Sequence, residues 1–276
     1  MAYCKKHYAV ILPSQWNEKT ALPKMVITID DGFHDFMEYA LPILADNNLP
    51  AVHNVLISSI INNQVNWTYR LNLIVEDHLK SKKNFSLTEY MIPYRMIVTQ
   101  NNAPKVALET MLLLKDLPLP QTEKILSQLE QFCESDLYYP KMMNESDLKS
   151  CEAAGIEIGS HGWTHILLKG SLGAEILKHE IVESKIALEK MLGHEVECFA
   201  FPAGQYDNEV VNYTRQAGYK YIFAAGDQFF HPTNTDTVPV LFPRITPSAG
   251  NIDMNILKIE SLNLLLKNKL SAHGQE

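Results

Sequence analysis

Short apolar runs rich in β-branched residues recur along the chain, and amphipathic stretches with helix start and stop signals stand between them. This alternation constrains the fold more than any other feature. The runs are 25–29 (Met-Val-Ile-Thr-Ile), 51–57 (Ala-Val-His-Asn-Val-Leu-Ile), 156–161, 196–201 and 219–224. Apolar runs of this length, bounded by turn residues, predict buried strands. A helix is predicted over 35–47, with Phe36, Tyr39, Ala40, Ile43 and Leu44 on its buried side and Pro42 kinking or restarting it. Another covers 146–154, with Ser146 as N-cap and Gly155 in the left-handed position past its end. The clearest helix is 174–192, where Leu177, Ile181, Leu188 and Leu192 share a face with Ser184 between them, before Gly193. Helix 208–217 follows Asp207 and stops at Gly218, and 253–270 reads as a C-terminal helix. Strand and helix in alternation predict a parallel α/β architecture.

Segment 62–145 breaks the rhythm. It holds helical patterns at Leu71–Leu79, Lys105–Leu114 and Gln121–Cys133 and few strand signals. It is expected to be a mostly helical insertion between the second and third core strands, a lid or partner surface, within a single catalytic domain spanning 1–276.

Composition narrows the function classes. With 46% hydrophobic and 20% charged residues in 276, the chain can bury a sizeable core, which excludes a disordered protein. The 24 basic and 32 acidic residues give a net charge of −8, which argues against nucleic acid as a partner. No apolar run approaches the roughly 18 residues of a transmembrane helix. Cys4, Cys133, Cys151 and Cys198 form no CxxC pair, so they read as reduced thiols. The apolar run Tyr8–Leu12 is too short for a signal peptide, and a cytoplasmic location is expected.

Two clusters carry chemistry. In Thr28-Ile29-Asp30-Asp31-Gly32, two adjacent carboxylates end a buried strand, which is costly without compensation; a metal ion would supply it. In His161-Gly162-Trp163-Thr164-His165, two histidines four apart follow another apolar strand and can converge on one ion in a tight turn. Each has a bland reading alone, as a turn and as surface or core histidines. Together, one carboxylate and two histidines make a three-ligand site with room for water, a pattern that suits catalytic rather than structural zinc.

These clusters resemble the first and second motifs of the polysaccharide deacetylase family (NodB homology, carbohydrate esterase family 4). Phe199-Ala200-Phe201-Pro202-Ala203-Gly204-Gln205-Tyr206-Asp207 is similar to the Phe-Ala-Tyr-Pro-x-Gly stretch of one bacterial branch. The likeness covers about 25–61 and 140–246. It implies a distorted (β/α) barrel with fewer than eight strands and a divalent metal, usually Zn2+, held by Asp31, His161 and His165. Asp30 would be the general base. The substrate class implied is an N-acetylated sugar of a cell-envelope or exopolysaccharide, here lipid-linked or nucleotide-linked. The metal, with a backbone N–H near Pro202–Gly204, would hold the oxyanion, and Trp163 either stacks on the sugar or packs the metal loop.

The chain departs from the family in two places. There is no Leu-x-His motif near the C-terminus to protonate the leaving amine, and no Arg-x-Pro-Tyr third motif. His231 and His34 are the candidate acids, and Asp30 itself could shuttle the proton. Arg244 either orients Asp30 through a charge-assisted pair or is a plain structural arginine. Trp67, Tyr69 and Arg70 either reach the sugar cleft or anchor the insertion. His53, His78, His179 and His194 read as ordinary histidines. Two other functions stay open: hydrolysis of another amide or an O-acetyl ester on the same site, and a non-catalytic glycan-binding protein that retains the metal. Self-association into a homo-oligomer is also left open.

Overall fold

A computed structural model describes residues 1–81, 84–97, 99–225, 239–247 and 250–260. Six strands form one sheet: β1 (Thr28–Asp31), β2 (Ala51–Val55), β3 (Ile156–Ser160), β4 (Cys198–Ala200), β5 (Tyr221–Ala225) and β6 (Val240–Arg244). Each strand pairs in parallel with its neighbour in the chain, from β1 beside β2 to β5 beside β6. Parallel neighbours need a crossover, and helices supply most of them. The sheet curls until its outer strands meet: Arg244 on β6 reaches Asp30 on β1 at 2.7 Å. The parallel α/β architecture is the one the alternation predicts, and its closure into a distorted (β/α) barrel is the one the family resemblance implies.

Side chains alternate across the sheet, as the period of a strand requires. The inner face carries Val52, Cys198, Ala200, Phe223, Val240 and Phe242, plugged by Ile11 and Trp16 from the N-terminal segment. The outer face carries Ala51, Val55, Ile156, Ile158, Phe199 and Ile222, covered by helices that contribute Phe36, Leu44, Leu148, Leu177, Ile181 and Leu188.

Several local expectations need correction. The run 25–29 is not one strand: Lys24–Met25 pairs with Ala9–Val10, and β1 begins only at Thr28. Nor is β1 fully buried, because it is a sheet edge. The helix after it opens with a wide turn, Phe36–Ala40, and becomes regular over Leu41–Asn47, so Pro42 marks a restart. The wide turn shifts the phase of the helix. Phe36 and Leu44 are buried as expected, but Tyr39 and Ile43 are 68% and 49% exposed. The helix Glu145–Ala153 is capped by Asn144 rather than Ser146; the Asn144 side chain accepts from the N–H groups of Ser146 and Asp147. Helix 174–192 also contains a wide turn, Lys178–Glu183, before its regular end Ser184–Leu192. Strand β6 carries Pro243, which an edge strand tolerates.

Between β2 and β3 the chain forms helices α1 (Trp67–Ser81), α2 (Ala103–Leu114) and α3 (Leu119–Glu130), with one antiparallel pair, Asn84–Ser86 with Arg95–Ile97. Their apolar faces share a cluster that includes Leu71, Ile74, Phe85, Val106, Leu126 and Leu129. Arg70 is the buried polar tie: it pairs with Glu130 at 2.9 Å and with Glu123. No helix among the described residues is long and apolar enough to cross a membrane.

Candidate metal centre

The functional side chains collect at the C-terminal ends of β1, β3 and β6, the end where (β/α) barrels place their chemistry. Asp30 and Asp31 close β1, and the chain then turns sharply, with φ of 77° at Asp31 and 82° at Gly32. A left-handed Asp31 is uncommon for a side-chain-bearing residue and is a strained conformation of the kind found at functional sites. His165 is strained in the same sense, with φ of 65°.

This geometry brings the sequence-nominated ligands together. The Oδ1 atom of Asp31 lies 3.6 Å from Nε2 of His161 and 3.5 Å from Nε2 of His165. Ligands about 2.1 Å from a tetrahedral ion stand about 3.4 Å apart, so the spacing fits one ion. His161 Nδ1 lies 2.8 Å from the carbonyl oxygen of Ala200. A carbonyl only accepts, so Nδ1 carries the proton and Nε2 presents its lone pair to Asp31. Asp31 Oδ1 is buried with no hydrogen-bond partner. An orphaned carboxylate oxygen between two imidazole nitrogens is what a bound cation would satisfy. The residues therefore fit a divalent metal.

Protonation states agree. Burial disfavours charge on both histidines, pushing His165 down to about 4 and His161 below its ordinary value against the pull of Asp30. Both are neutral near pH 7, the form that ligates metal. Burial holds the Asp31 carboxyl above its usual value, with the Asp30 charge adding to it and His161, Arg244 and a hydrogen bond from Asn66 opposing. Burial pushes Asp30 the same way, but His161, Arg244 and the hydrogen bond from Asn54 outweigh it and hold its carboxyl down. Arg244 Nη1 lies 2.7 Å from Asp30 Oδ2, and Asn54 Nδ2 donates to Oδ1 at 2.9 Å.

Most of the backbone polar groups of the histidine loop are engaged. His161 N–H donates to Val55 O, and Gly162 N–H to the Ser160 hydroxyl. The carbonyls of Gly162 and Trp163 accept from Ile57 and Ser58, at the start of helix Ile57–Asn62. Trp67 Nε1 donates to His165 O at 3.0 Å, so α1 holds the second histidine.

The other nominated residues fall as follows. Trp163 packs against His179, with ring centroids 4.4 Å apart and the rings tilted by 30°. Pro202 is buried in the turn after β4, and Gly204 sits where a Cβ would come 2.4 Å from the backbone nitrogen of Ala225. Tyr206 stacks on Phe201. His34 faces Glu38 and Asp147, and Tyr69 packs on Phe33. Arg70 is spent on α3. His231 lies outside the described residues. His53 is buried under Phe36 with neither ring nitrogen bonded, which makes it a packed, neutral core group. Asn54, Asn66 and Glu180, which no motif singles out, all serve the site. A second group of ligand-type side chains, Asp77, His78 and Cys133, also converges, but the Asp77 carboxylate is occupied by Glu134 and Ser135 donors.

Comparison with known proteins agrees with this picture. Residues 17–222 match the family model described as polysaccharide deacetylase. No curated protein sequence matches the chain significantly. Among solved structures, the Streptococcus pyogenes deacetylase PplD, determined in complex with acetate, is similar at a TM-score of 0.57 and 15% identity, over 93% of this chain and 82% of that one. BC0361, a polysaccharide deacetylase from Bacillus cereus, is similar at a TM-score of 0.51 and 15% identity over 89% of this chain. The chain spans 54% of the length of that protein. At these identities the likeness shows a shared fold.

Proposed function

This chain belongs to the polysaccharide deacetylase family, and from that footing we propose that it is a metal-dependent N-deacetylase of an N-acetylated sugar from a cell-envelope or exopolysaccharide. The observation that carries the metal reading is the orphaned Asp31 Oδ1 facing His161 and His165. Asp31, His161 and His165 would hold the ion. When bound, a divalent metal polarises the acetyl carbonyl and lowers the pKa of water beside it.

The chain's own residues do the rest. Asp30, ionised and gripped by Arg244 and Asn54, takes the proton from the water that attacks the acetyl carbon. The carbon–nitrogen bond of the resulting tetrahedral intermediate then breaks. Asp30 returns its proton to the leaving amine, and acetate and the free amino sugar are the products. Arg244 contacts both oxygens of the Asp30 carboxylate, and Asn54 adds a bond to Oδ1, so the base is held in one orientation. A glycan binder would need the metal ligands but no clamped base, and the Arg244–Asp30–Asn54 arrangement favours turnover.

The deciding experiment is acetate release by zinc-loaded protein across N-acetylated and O-acetylated saccharides, with Asp30→Asn alongside. Release by the wild type and loss in Asp30→Asn with zinc retained supports the proposal. Zinc binding with no release from any acylated sugar overturns it in favour of a binder.

A further inference from the structure

Glu180 lies on the helix that follows the histidine loop and is 2% exposed. A carboxylate at that depth is costly unless its lone pairs are filled. Two backbone N–H groups fill them, Trp163 at 2.8 Å and Thr164 at 3.0 Å, together with the Thr164 hydroxyl. All three donors come from the short stretch between His161 and His165. Gly162 completes the wrap: a Cβ there would lie 3.1 Å from Glu180 Oε2, and the residue has φ of 88°. The remaining loop contacts, from Ser160, Ile57, Ser58 and Trp67, are hydrogen bonds between neutral groups. Glu180 supplies the charge-assisted ones, which are roughly twice as strong.

The helix is built to deliver this side chain. Glu180 falls inside the wide turn Lys178–Glu183, and the Ser184 hydroxyl donates to its carbonyl at 2.6 Å. A wide turn inserts an extra residue and re-aims the side chains around it, a device that recurs at functional sites.

We propose that Glu180 is a positioning residue for the metal centre: by holding Trp163 and Thr164 it sets the spacing and angle of the His161 and His165 imidazoles, and with them the affinity and coordination geometry of the ion. The inference rests on the metal-centre reading above. It goes further by placing a determinant of ion geometry on a side chain that touches neither ion nor substrate.

The test is titration of the stripped 276-residue chain with Zn2+ and Co2+, for wild type, Glu180→Gln, Glu180→Ala and His161→Ala. Glu180→Gln keeps an oxygen for the two N–H groups and binds within a few-fold of wild type. Glu180→Ala binds about 10- to 100-fold more weakly, the range seen when a ligand's supporting partner is lost. Its Co2+ absorption bands shift, reporting altered coordination. A purely structural role would lower the melting temperature of the metal-free variants but leave the affinity and Co2+ spectrum of the folded protein unchanged; that result overturns the proposal. Should Glu180→Ala fail to fold, Glu180→Asp carries the same test, since a shorter arm must move the loop or release it, and wild-type affinity and spectrum there overturn the proposal. His161→Ala separates the two readings: undiminished metal binding in that variant refutes the metal centre itself, whereas its loss beside unaffected Glu180 variants refutes only the role of Glu180.

Discussion

Arg244 and Asp30 stand 214 positions apart on the two outermost strands of the sheet, and their side chains meet at 2.7 Å. The contact joins the barrel's edges and orients the proposed base with the same guanidinium. Replacing Arg244 with Met should therefore lower turnover about 10- to 100-fold, part of the roughly 100- to 10,000-fold that a general base contributes. Zinc content should stay at the wild-type level, because Arg244 contacts Asp30 and Thr28 rather than the histidines. Kinetics on an acetylated saccharide beside metal analysis of the same preparation checks both halves.

His161→Ala or His165→Ala should weaken zinc binding by more than about 100-fold, since each removes a proposed ligand and the loss of a ligand's hydrogen-bond partner alone reaches that figure. The fold should survive, because burying a neutral imidazole contributes less than the surrounding apolar core. Zinc stoichiometry by equilibrium dialysis, with far-ultraviolet circular dichroism on the same samples, reads both outcomes.

Trp67→Phe keeps the ring in its buried place but removes the donor to His165 O. Leaving that acceptor unpaired should cost about 1–3 kcal/mol of stability. The same variant should weaken zinc binding several-fold, because α1 no longer steadies the strained His165 backbone. Denaturant midpoints and metal titration measure the two effects separately.

Asp77 anchors the turn after α3. Burial penalises its charge, but hydrogen bonds from Ser135 and Glu134 outweigh that and hold its carboxyl below the ordinary value. A depressed folded-state pKa means the stabilisation is complete above the unfolded value of about 3.9 and is lost as pH falls through the lower folded value. Asp77→Asn should thus melt several degrees below wild type at pH 7, and the gap should shrink as pH drops from about 4 toward 2. Melting curves across that range decide it; a gap independent of pH would refute the charged contribution.

What could be read from the residues alone divides along physical lines. Asp30-Asp31-Gly32 and His161–His165 are contiguous, so their chemistry shows in the local string. Asn54, Asn66 and Glu180 sit in an apolar strand, a loop and a helix, and only the packing of the sheet brings them to the site. The local sequence around Arg244 leaves two roles open, because its partner Asp30 lies at the far edge of the sheet. Tyr39 and Ile43 fall on the buried side of the sequence pattern but not of the helix, because a fixed helical period does not survive a wide turn. Strand β6 is hidden in the sequence, because Pro243 argues against a strand wherever the edge position is unknown.

Gly204 has a practical consequence for anyone who wishes to redesign the proposed site. Its Cα leans on the backbone of Ala225 so closely that any side chain would strike β5. Within the Pro202–Gly204 turn, position 204 is in effect cast in place, closed to libraries and to gradual drift alike. Redesign of the proposed site would turn instead to Trp163, which rests on His179, and to Tyr69, which rests on Phe33, side chain against side chain.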